Sequence, residues 1–143
     1  MTNQANCYPA ICLPNCDEAI TFYKEAVGAE VKAINYFRDI PQDTDTTDTG
    51  LGESMPPNFV VYSEVLILGT TFVMTDSKEK GVTDQNDNFW FNVFLPAEEI
   101  TSVFNKLAEG GEIVEPLTPQ FWASLNGYVT DRFGVQWNLL TRN

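Results

Sequence analysis

The most informative absence in this 143-residue sequence is histidine, of which there is none. Without histidine the chain cannot form a Ser-His-Asp or Cys-His catalytic arrangement. The commonest nitrogen ligand of zinc, iron, nickel and copper is missing as well. Acid–base chemistry near neutral pH would therefore need a carboxylate, cysteine, lysine or tyrosine whose pKa is shifted.

Positive charge is also scarce, since 8 Lys and Arg stand against 20 Asp and Glu and the formal net charge is -12. A field of this sign repels phosphate backbones and acidic membrane surfaces, so we expect neither nucleic acid nor a membrane as a partner. No apolar run approaches the ~18 residues of a membrane span. Residues 1–7 lack the basic-then-apolar pattern of a signal peptide, so we expect a cytoplasmic protein.

Cysteine is rare, and the number of cysteines is odd. The three cysteines, Cys7, Cys12 and Cys16, match neither a C-x-x-C motif nor a zinc ribbon, and we expect reduced thiols. Cys16 lies where a helix is expected to begin, and a helix N-terminus can lower the pKa of a thiol. An inert thiol is the more ordinary interpretation of this residue.

Hydrophobic patterning predicts a strand, a helix and three further strands in the first half of the chain. The strands are expected at 8–13, 30–37, 59–68 and 71–75, with a tight turn at Gly69-Thr70. Asn15 followed by Glu18 resembles a capping box at the start of the helix, and Gly28 suits its end. The polar stretch 38–58 is expected to be a disordered loop or a flap over a pocket.

The second half predicts the same series again. After a polar connector at 76–87, strands are expected at 88–95, 112–117, 127–131 and 135–140, with a helix that opens at Pro96 and ends at Gly110-Gly111. Residues 22–31 also match residues 104–113 at their Phe, Lys, Ala, Gly and Glu positions. Such an internal repeat predicts an α+β fold of two βαβββ modules, 1–76 and 77–143.

Two stretches resemble the vicinal-oxygen-chelate (glyoxalase/bleomycin-resistance/dioxygenase) superfamily. Residues 17–28 resemble its first helix, and Thr130-Asp-Arg-Phe-Gly-Val-Gln-Trp-Asn138 resembles its closing hairpin, usually Asp-Pro-Phe-Gly-His-x-Trp-Glu. Met55-Pro-Pro57, Glu64 and Gln120-Phe-Trp122 are similar to the PhnB-like branch. The resemblance extends from Tyr8 to Leu140. It implies two βαβββ repeats that form half-barrel sheets around a cavity.

In metal-dependent members of the superfamily, His, Glu or Gln side chains from four strands hold a divalent ion. The resemblance places those positions at Tyr8, Val73, Asn138 and Asn92, or at Trp90 if the register of the fifth strand slips. None of these is a carboxylate or an imidazole, which are the ligands that such ions prefer. We therefore expect neither a metal nor another cofactor.

The ligand-binding positions implied by the resemblance are aromatic and amide side chains facing the cavity. Packing between sheet and helix is the alternative for each aromatic residue, and solvent exposure is expected for Gln136. Asn138 should point away from the buried Trp137 because side chains alternate along a strand. The expected ligand-binding residues are Tyr8, Tyr62, Trp90, Asn92, Trp122, Tyr128 and Asn138.

The sequence therefore favours a metal-free PhnB-like homodimer that binds a small organic molecule. One alternative is a divalent-metal-dependent lyase, isomerase or dioxygenase whose displaced ligands come from Glu64 or from the acids of the 43–53 stretch. Another is a resistance protein that sequesters a drug, for which the negative field suits a cation. Whether the protein is an enzyme stays open at this stage, because a fold does not determine an activity.

Overall fold

The computed structural model describes residues 5–41, 55–77 and 89–142. Backbone contacts divide the chain into two compact units, each of which contains one four-stranded sheet. Within the described residues, neither helix has the length and apolar character required to span a bilayer. Most of the predicted loop, residues 42–54, and most of the predicted connector, residues 78–88, lie outside the described residues.

The first unit has the predicted order of strand, helix and three strands. Strand β1 runs parallel to β4, while β3 pairs antiparallel with both β4 and β2, so the sheet order is β1-β4-β3-β2. A short 3-10 turn follows β2 at Phe37–Asp39. The elements are β1 (Ala10–Leu13), α1 (Cys16–Val27), β2 (Glu30–Tyr36), β3 (Val60–Ile67) and β4 (Thr70–Asp76).

The predicted cap of α1 is confirmed. The Asn15 side-chain oxygen accepts a hydrogen bond from the Glu18 amide at 3.2 Å, which satisfies one of the free N–H groups at the helix start. Gly28 ends the helix with a positive φ of 70°, a conformation that glycine adopts without steric cost. Local sequence signals therefore fix both ends of this helix.

Asp76, at the end of β4, connects three elements of the first unit. One carboxylate oxygen accepts from the Cys16 amide at 2.7 Å, and the other accepts from the Val60 amide at 2.9 Å. The alternative in which the helix start lowers the pKa of Cys16 is wrong, whereas the favoured interpretation of an inert thiol agrees with the structure. Burial of the thiol raises its pKa, and the Asp76 carboxylate adds to that shift, so the thiol stays protonated.

The second unit repeats this order. The parallel pair is β5 with β8, β7 pairs antiparallel with β8 and β6, and the sheet order is β5-β8-β7-β6. Helix α2 follows Pro96, as predicted, and Gly110 has a φ of 75° just after its end. The elements are β5 (Phe91–Phe94), α2 (Ala97–Ala108), β6 (Glu112–Gln120), β7 (Ala123–Thr130) and β8 (Gln136–Thr141).

The hairpin of β6 and β7 is longer than the sequence predicts. The predicted strands end at 117 and begin at 127, whereas the observed ladder continues to the pair Gln120 and Ala123. The prolines of β6, Pro116 and Pro119, lie at irregularities of this ladder, between Glu115 and Thr118 and between Thr118 and Gln120. Strand β6 is also the outer strand of its sheet, where proline is tolerated.

Helix α2 packs closely on one face of the second sheet. A Cβ atom placed on Gly127 would lie 2.8 Å from Cε2 of Phe104, so only glycine allows the helix this approach. Trp137 and Leu139 occupy the neighbouring strand β8 and are fully buried. This packing fixes which face of the sheet points away from α2.

Candidate functional site

The residues on the other face of the second sheet form the candidate site. Tyr128 lies opposite Asn138 in the β7–β8 ladder, one position along from the pair of Gly127 and Leu139. Since side chains alternate along strands, Tyr128 and Asn138 point away from α2. The prediction that Asn138 faces away from Trp137 is confirmed. We call this surface the amide face; its members are Trp90, just before β5, and, on β5, β8 and β7, Asn92, Phe94, Gln136, Asn138, Leu140, Asn126, Tyr128 and Thr130.

Two asparagines form the centre of the amide face. Asn92 pairs with Asn138 in the β5–β8 ladder, which decides the register in favour of Asn92 over Trp90. The Asn138 side-chain nitrogen donates to the Asn92 side-chain oxygen at 3.0 Å. Asn138 is 8% exposed, and its own Oδ1 atom has no hydrogen-bond partner within the described part of the chain. The Asn138 amide is therefore held in place by the Asn92 amide, while Oδ1 of Asn138 stays open, that is, without a hydrogen-bond partner among the described residues.

Two aromatic rings lie beside the asparagines. Trp90 and Tyr128 meet edge to face, with ring centroids 5.2 Å apart and an interplanar angle of 90°. Both side chains are half-buried. Edge-to-face contact holds the two rings in a defined orientation and leaves apolar area next to the Asn138 amide. Tyr128 shares a surface with Asn138 because the two residues pair across strands, and Trp90 joins them through its ring contact with Tyr128.

Asn126 and Thr130 belong to the same face, and sequence reasoning missed both. They flank Tyr128 at two-residue spacing on β7, where Asn126 lies opposite Leu140 and Thr130 opposite Gln136. Each is 4% exposed. In the residues that the structure describes, Oδ1 of Asn126 and Oγ1 of Thr130 have no hydrogen-bond partner. Their alternation with Tyr128 was the available signal. Thr130 lies within the predicted strand 127–131, whereas Asn126 lies before the predicted start of that strand.

The expected exposure of Gln136 is wrong. Its side chain is 5% exposed, and its amide nitrogen donates to the Phe89 carbonyl at 2.9 Å. All six residues of β8, Gln136–Thr141, are buried, so Gln136 shares the burial of the whole strand. Gln136 therefore fastens the start of β8 to the segment before β5.

Asp131 sets the position of β8 and was not assigned a role from the sequence. Its Oδ1 atom accepts from the amides of Phe133 and Val135 at 2.9 and 3.1 Å, and Oδ2 accepts from the Trp137 indole at 2.9 Å. The side chain is 3% exposed. Hydrogen bonds to a buried carboxylate are among the strong ones. The hairpin that carries Asn138 is therefore anchored by one acidic side chain.

Tyr8 and Tyr62 belong to the first unit, and both are exposed. The Tyr62 hydroxyl donates to the Glu64 carboxylate at 2.8 Å. That hydrogen bond raises the pKa of Tyr62, with smaller contributions from burial and from the charges of Glu64 and Tyr8. The structure thus places Tyr62 beside Glu64 on strand β3.

Trp122 lies at the tip of the β6–β7 hairpin. It is 49% exposed and meets Phe121 edge to face, with ring centroids 4.7 Å apart. Four of the seven expected residues, Trp90, Asn92, Tyr128 and Asn138, therefore form one connected group on the amide face. Trp122 occupies a separate part of the same unit.

The residues present do not fit the divalent ion of metal-dependent superfamily members. The four implied positions carry a phenol, an isopropyl group and two neutral amides, on Tyr8, Val73, Asn92 and Asn138. Across residues 5–41, 55–77 and 89–142, no three His, Cys, Asp or Glu side chains come together as a metal site. Divalent ions prefer charged oxygen, thiolate or imidazole ligands.

The sequence matches a known protein family over most of its length. The model of the glyoxalase/bleomycin resistance protein/dioxygenase superfamily matches residues 8–139. The chain is also 28% identical to protein YjdN from Escherichia coli strain K12, over 128 residues that cover 86% of this chain and 85% of that protein.

Solved structures with the same fold include proteins with very different descriptions. One is a putative 3-demethylubiquinone-9 3-methyltransferase, PhnB protein, from Bacillus cereus, with a TM-score of 0.74, 21% identity and coverage of 96% of this chain and 99% of that chain. Another is a variant of the fosfomycin resistance protein FosX from Listeria monocytogenes, in complex with Mn(II) and 1S,2S-dihydroxypropylphosphonic acid. Its TM-score is 0.63 at 13% identity, with coverage of 97% and 93%. At these identities the likeness concerns the fold alone.

Proposed function

The chain belongs to the glyoxalase/bleomycin resistance protein/dioxygenase superfamily, and on that premise we propose that it is a PhnB-like protein that binds a small organic molecule on the amide face. The observation that carries the proposal is the state of Asn138. Its side chain is almost fully buried, is held by Asn92, and keeps an Oδ1 atom without a protein partner in the described residues. Buried polar atoms are nearly always paired, so an open one calls for an explanation.

The surroundings of Asn138 suit a ligand rather than a packed core. Small-molecule sites combine apolar and aromatic area with a few polar groups that fix orientation. Trp90 and Tyr128 supply the area, while the amides of Asn92 and Asn138 supply hydrogen bonds of defined direction. Asn92 is exposed at the outer strand β5, which gives a ligand access to the buried amide.

The proposed binding needs no metal ion. Its support is the chemistry of the implied ligand positions, which are neutral on every strand. The alternative, a metal-dependent enzyme with displaced ligands, draws on the fold shared with the Mn(II)-bound FosX variant. Elemental analysis of dialysed protein separates the two, and we expect substoichiometric Zn, Ni, Mn and Fe. A stoichiometric metal whose removal unfolds the protein would establish the alternative.

Native mass spectrometry of the purified protein tests the binding itself. We expect a retained compound in the wild type and its loss in Asn138→Leu, which keeps the volume and removes the amide. The matched control is Asn35→Leu, because Asn35 is an exposed asparagine on strand β2 of the first unit. Retention by both variants, together with Trp90 fluorescence that is insensitive to the released compound, would refute the proposal.

We also propose that the protein is a cytoplasmic homodimer. In the described residues, β1, β2, β5 and β6 each have one strand neighbour, and unpaired edges favour association. Strand β6 also exposes Ile113 and Val114. Light scattering at high micromolar concentration should give twice the 16.0 kDa chain mass. The monomer mass at that concentration would exclude the dimer.

A further inference from the structure

Three open polar atoms lie on one face of one sheet. Oδ1 of Asn126, Oγ1 of Thr130 and Oδ1 of Asn138 are the buried side-chain oxygen or nitrogen atoms that lack a partner in the described residues. Their side chains are 4%, 4% and 8% exposed. An unpaired buried polar group costs about 1–3 kcal/mol, so a cluster of three is unusual in a face that serves only for packing.

The three atoms surround Tyr128. Asn126 and Thr130 lie two residues before and after it on β7, and Asn138 is its cross-strand neighbour on β8. Two residues along a strand span ~7 Å, and directly paired side chains have Cβ atoms ~5 Å apart. The open atoms are therefore spread over an area that one small molecule can cover.

The charges of this face are confined to its rim. Among its described members on β5, β8 and β7, none carries a charge. Glu115 lies opposite Tyr128 on the outer strand β6, and Arg142 lies 3.9 Å from the centroid of the Phe94 ring. Both rim residues are exposed. A charged ligand group over β5, β8 and β7 would lose its hydration without gaining an opposite charge from those strands, and an anionic group would also meet the Glu115 carboxylate beside Tyr128.

We infer that Asn126 and Thr130 act with Asn138 to select an uncharged small molecule that carries several hydroxyl or amide groups. Amide and hydroxyl side chains both donate and accept, so they match groups of the same kind on a ligand. This inference rests on the proposed function. It separates this protein from the FosX variant, which was solved with a phosphonic acid and Mn(II).

The first test is the charge of the compound released from the purified protein on denaturation. We expect it to be uncharged at pH 7, and its retention to be lost in Thr130→Val and kept in Asn35→Leu. A retained anion or cation would overturn the inference but would leave the proposed binding site intact. A cation would instead favour drug sequestration in the negative field of the protein.

The second test uses added probes, so it can be carried out even when the purified protein retains no compound. N-acetylglucosamine is uncharged and carries hydroxyl and amide groups, while glucosamine and N-acetylglucosamine 6-phosphate are its cationic and anionic analogues. At ten times its Kd, we expect the uncharged probe to raise the Tm by about 4 °C. Its affinity should fall about tenfold in Thr130→Val and Asn126→Leu, since each loses one hydrogen bond. An equal shift with either charged probe, or no shift with the uncharged one, would overturn the inference.

These outcomes distinguish the two proposals. Binding of a charged probe that depends on Asn138 defeats only the preference for uncharged ligands. The absence of a retained compound, together with Trp90 fluorescence that responds to none of the three probes, defeats the proposed site as well.

Discussion

The two units share one fold but treat their buried polar groups differently. In the first unit, the buried Ser63 hydroxyl donates to the Met74 carbonyl at 2.7 Å, and Asp76 accepts two backbone N–H groups. In the second unit, Asn126, Thr130 and Asn138 keep open atoms within the described residues. Buried polar groups in a packed core are nearly always paired, so the three open atoms of the second unit call for a separate explanation.

The difference is confined to the face opposite the one that packs on α2. Phe72 and Met74 in the first sheet correspond to Trp137 and Leu139 in the second, and all four are buried. One position along, Val73 opposite Glu64 corresponds to Asn138 opposite Tyr128. The repeat therefore keeps the packing pattern and changes the chemistry of the other face.

The largest expected effect comes from Asp131. Replacing Asp131 with Ala leaves two backbone N–H groups and the Trp137 indole without their acceptor, so we expect a loss of about 3 kcal/mol or more in the free energy of unfolding. Urea denaturation measures this loss. Asp76→Ala in the first unit removes an acceptor of two N–H groups in a partly buried setting and should cost less. The opposite ranking would contradict the anchoring role of Asp131.

The fold was largely predictable because its signals are local. Periodic apolar residues, the Asn15 cap and Gly28 located the first helix to within one residue at each end. The internal repeat then indicated that both units have the same order of elements along the chain, namely a strand, a helix and three strands. The hairpin of β6 and β7 was predicted too short because the ladder beyond residue 117 is irregular and contains Pro119, which is disfavoured in a central strand.

The candidate site was only partly predictable because it depends on register. Asn92 and Asn138 are 46 residues apart in sequence, and only strand pairing shows that their side chains meet. Thr130 and Asn126 carry no motif of their own. Gln136 is buried rather than exposed, and burial raises the pKa of Cys16. Burial depends on the assembled fold, so the nearby sequence does not reveal it.

A matched pair of small substitutions sharpens the comparison between the units. Ser63→Ala removes the donor to a buried carbonyl and should cost about 1 kcal/mol. Thr130→Val keeps the shape of the side chain and removes a hydroxyl that has no protein partner in the described residues, so it should be neutral or slightly stabilising. Thermal melting without ligand measures both. An equal loss in Thr130→Val would mean that its hydroxyl is bonded within the protein.

Asn138→Glu tests whether the amide face is hydrated. If water reaches it past the exposed Asn92, the new carboxylate should cost only about 1 kcal/mol. In a dry core the cost would be several kcal/mol, and burial would raise the pKa of the Glu in the folded state. Such a loss would be absent below the unfolded pKa of ~4.3 and would grow as the pH rises through the folded pKa. A large drop in Tm at neutral pH that is recovered in acid would assign this position to packing.

The smallest expected effect concerns Tyr62, on the corresponding face of the first unit. Its hydrogen bond to Glu64 raises its pKa above the ordinary value of ~10. The folded state then holds the phenol proton more tightly, so this contribution to stability is present below pH ~10 and is lost as the pH rises through the folded pKa.

The difference in tyrosinate absorbance between the wild type and Tyr62→Phe isolates this group from the other tyrosines. Glu64→Gln removes the charge and should return the titration toward lower pH. A titration of Tyr62 that Glu64→Gln leaves unchanged would mean that the pair does not form in solution, and that the first unit presents two independent exposed side chains where the second presents a connected group.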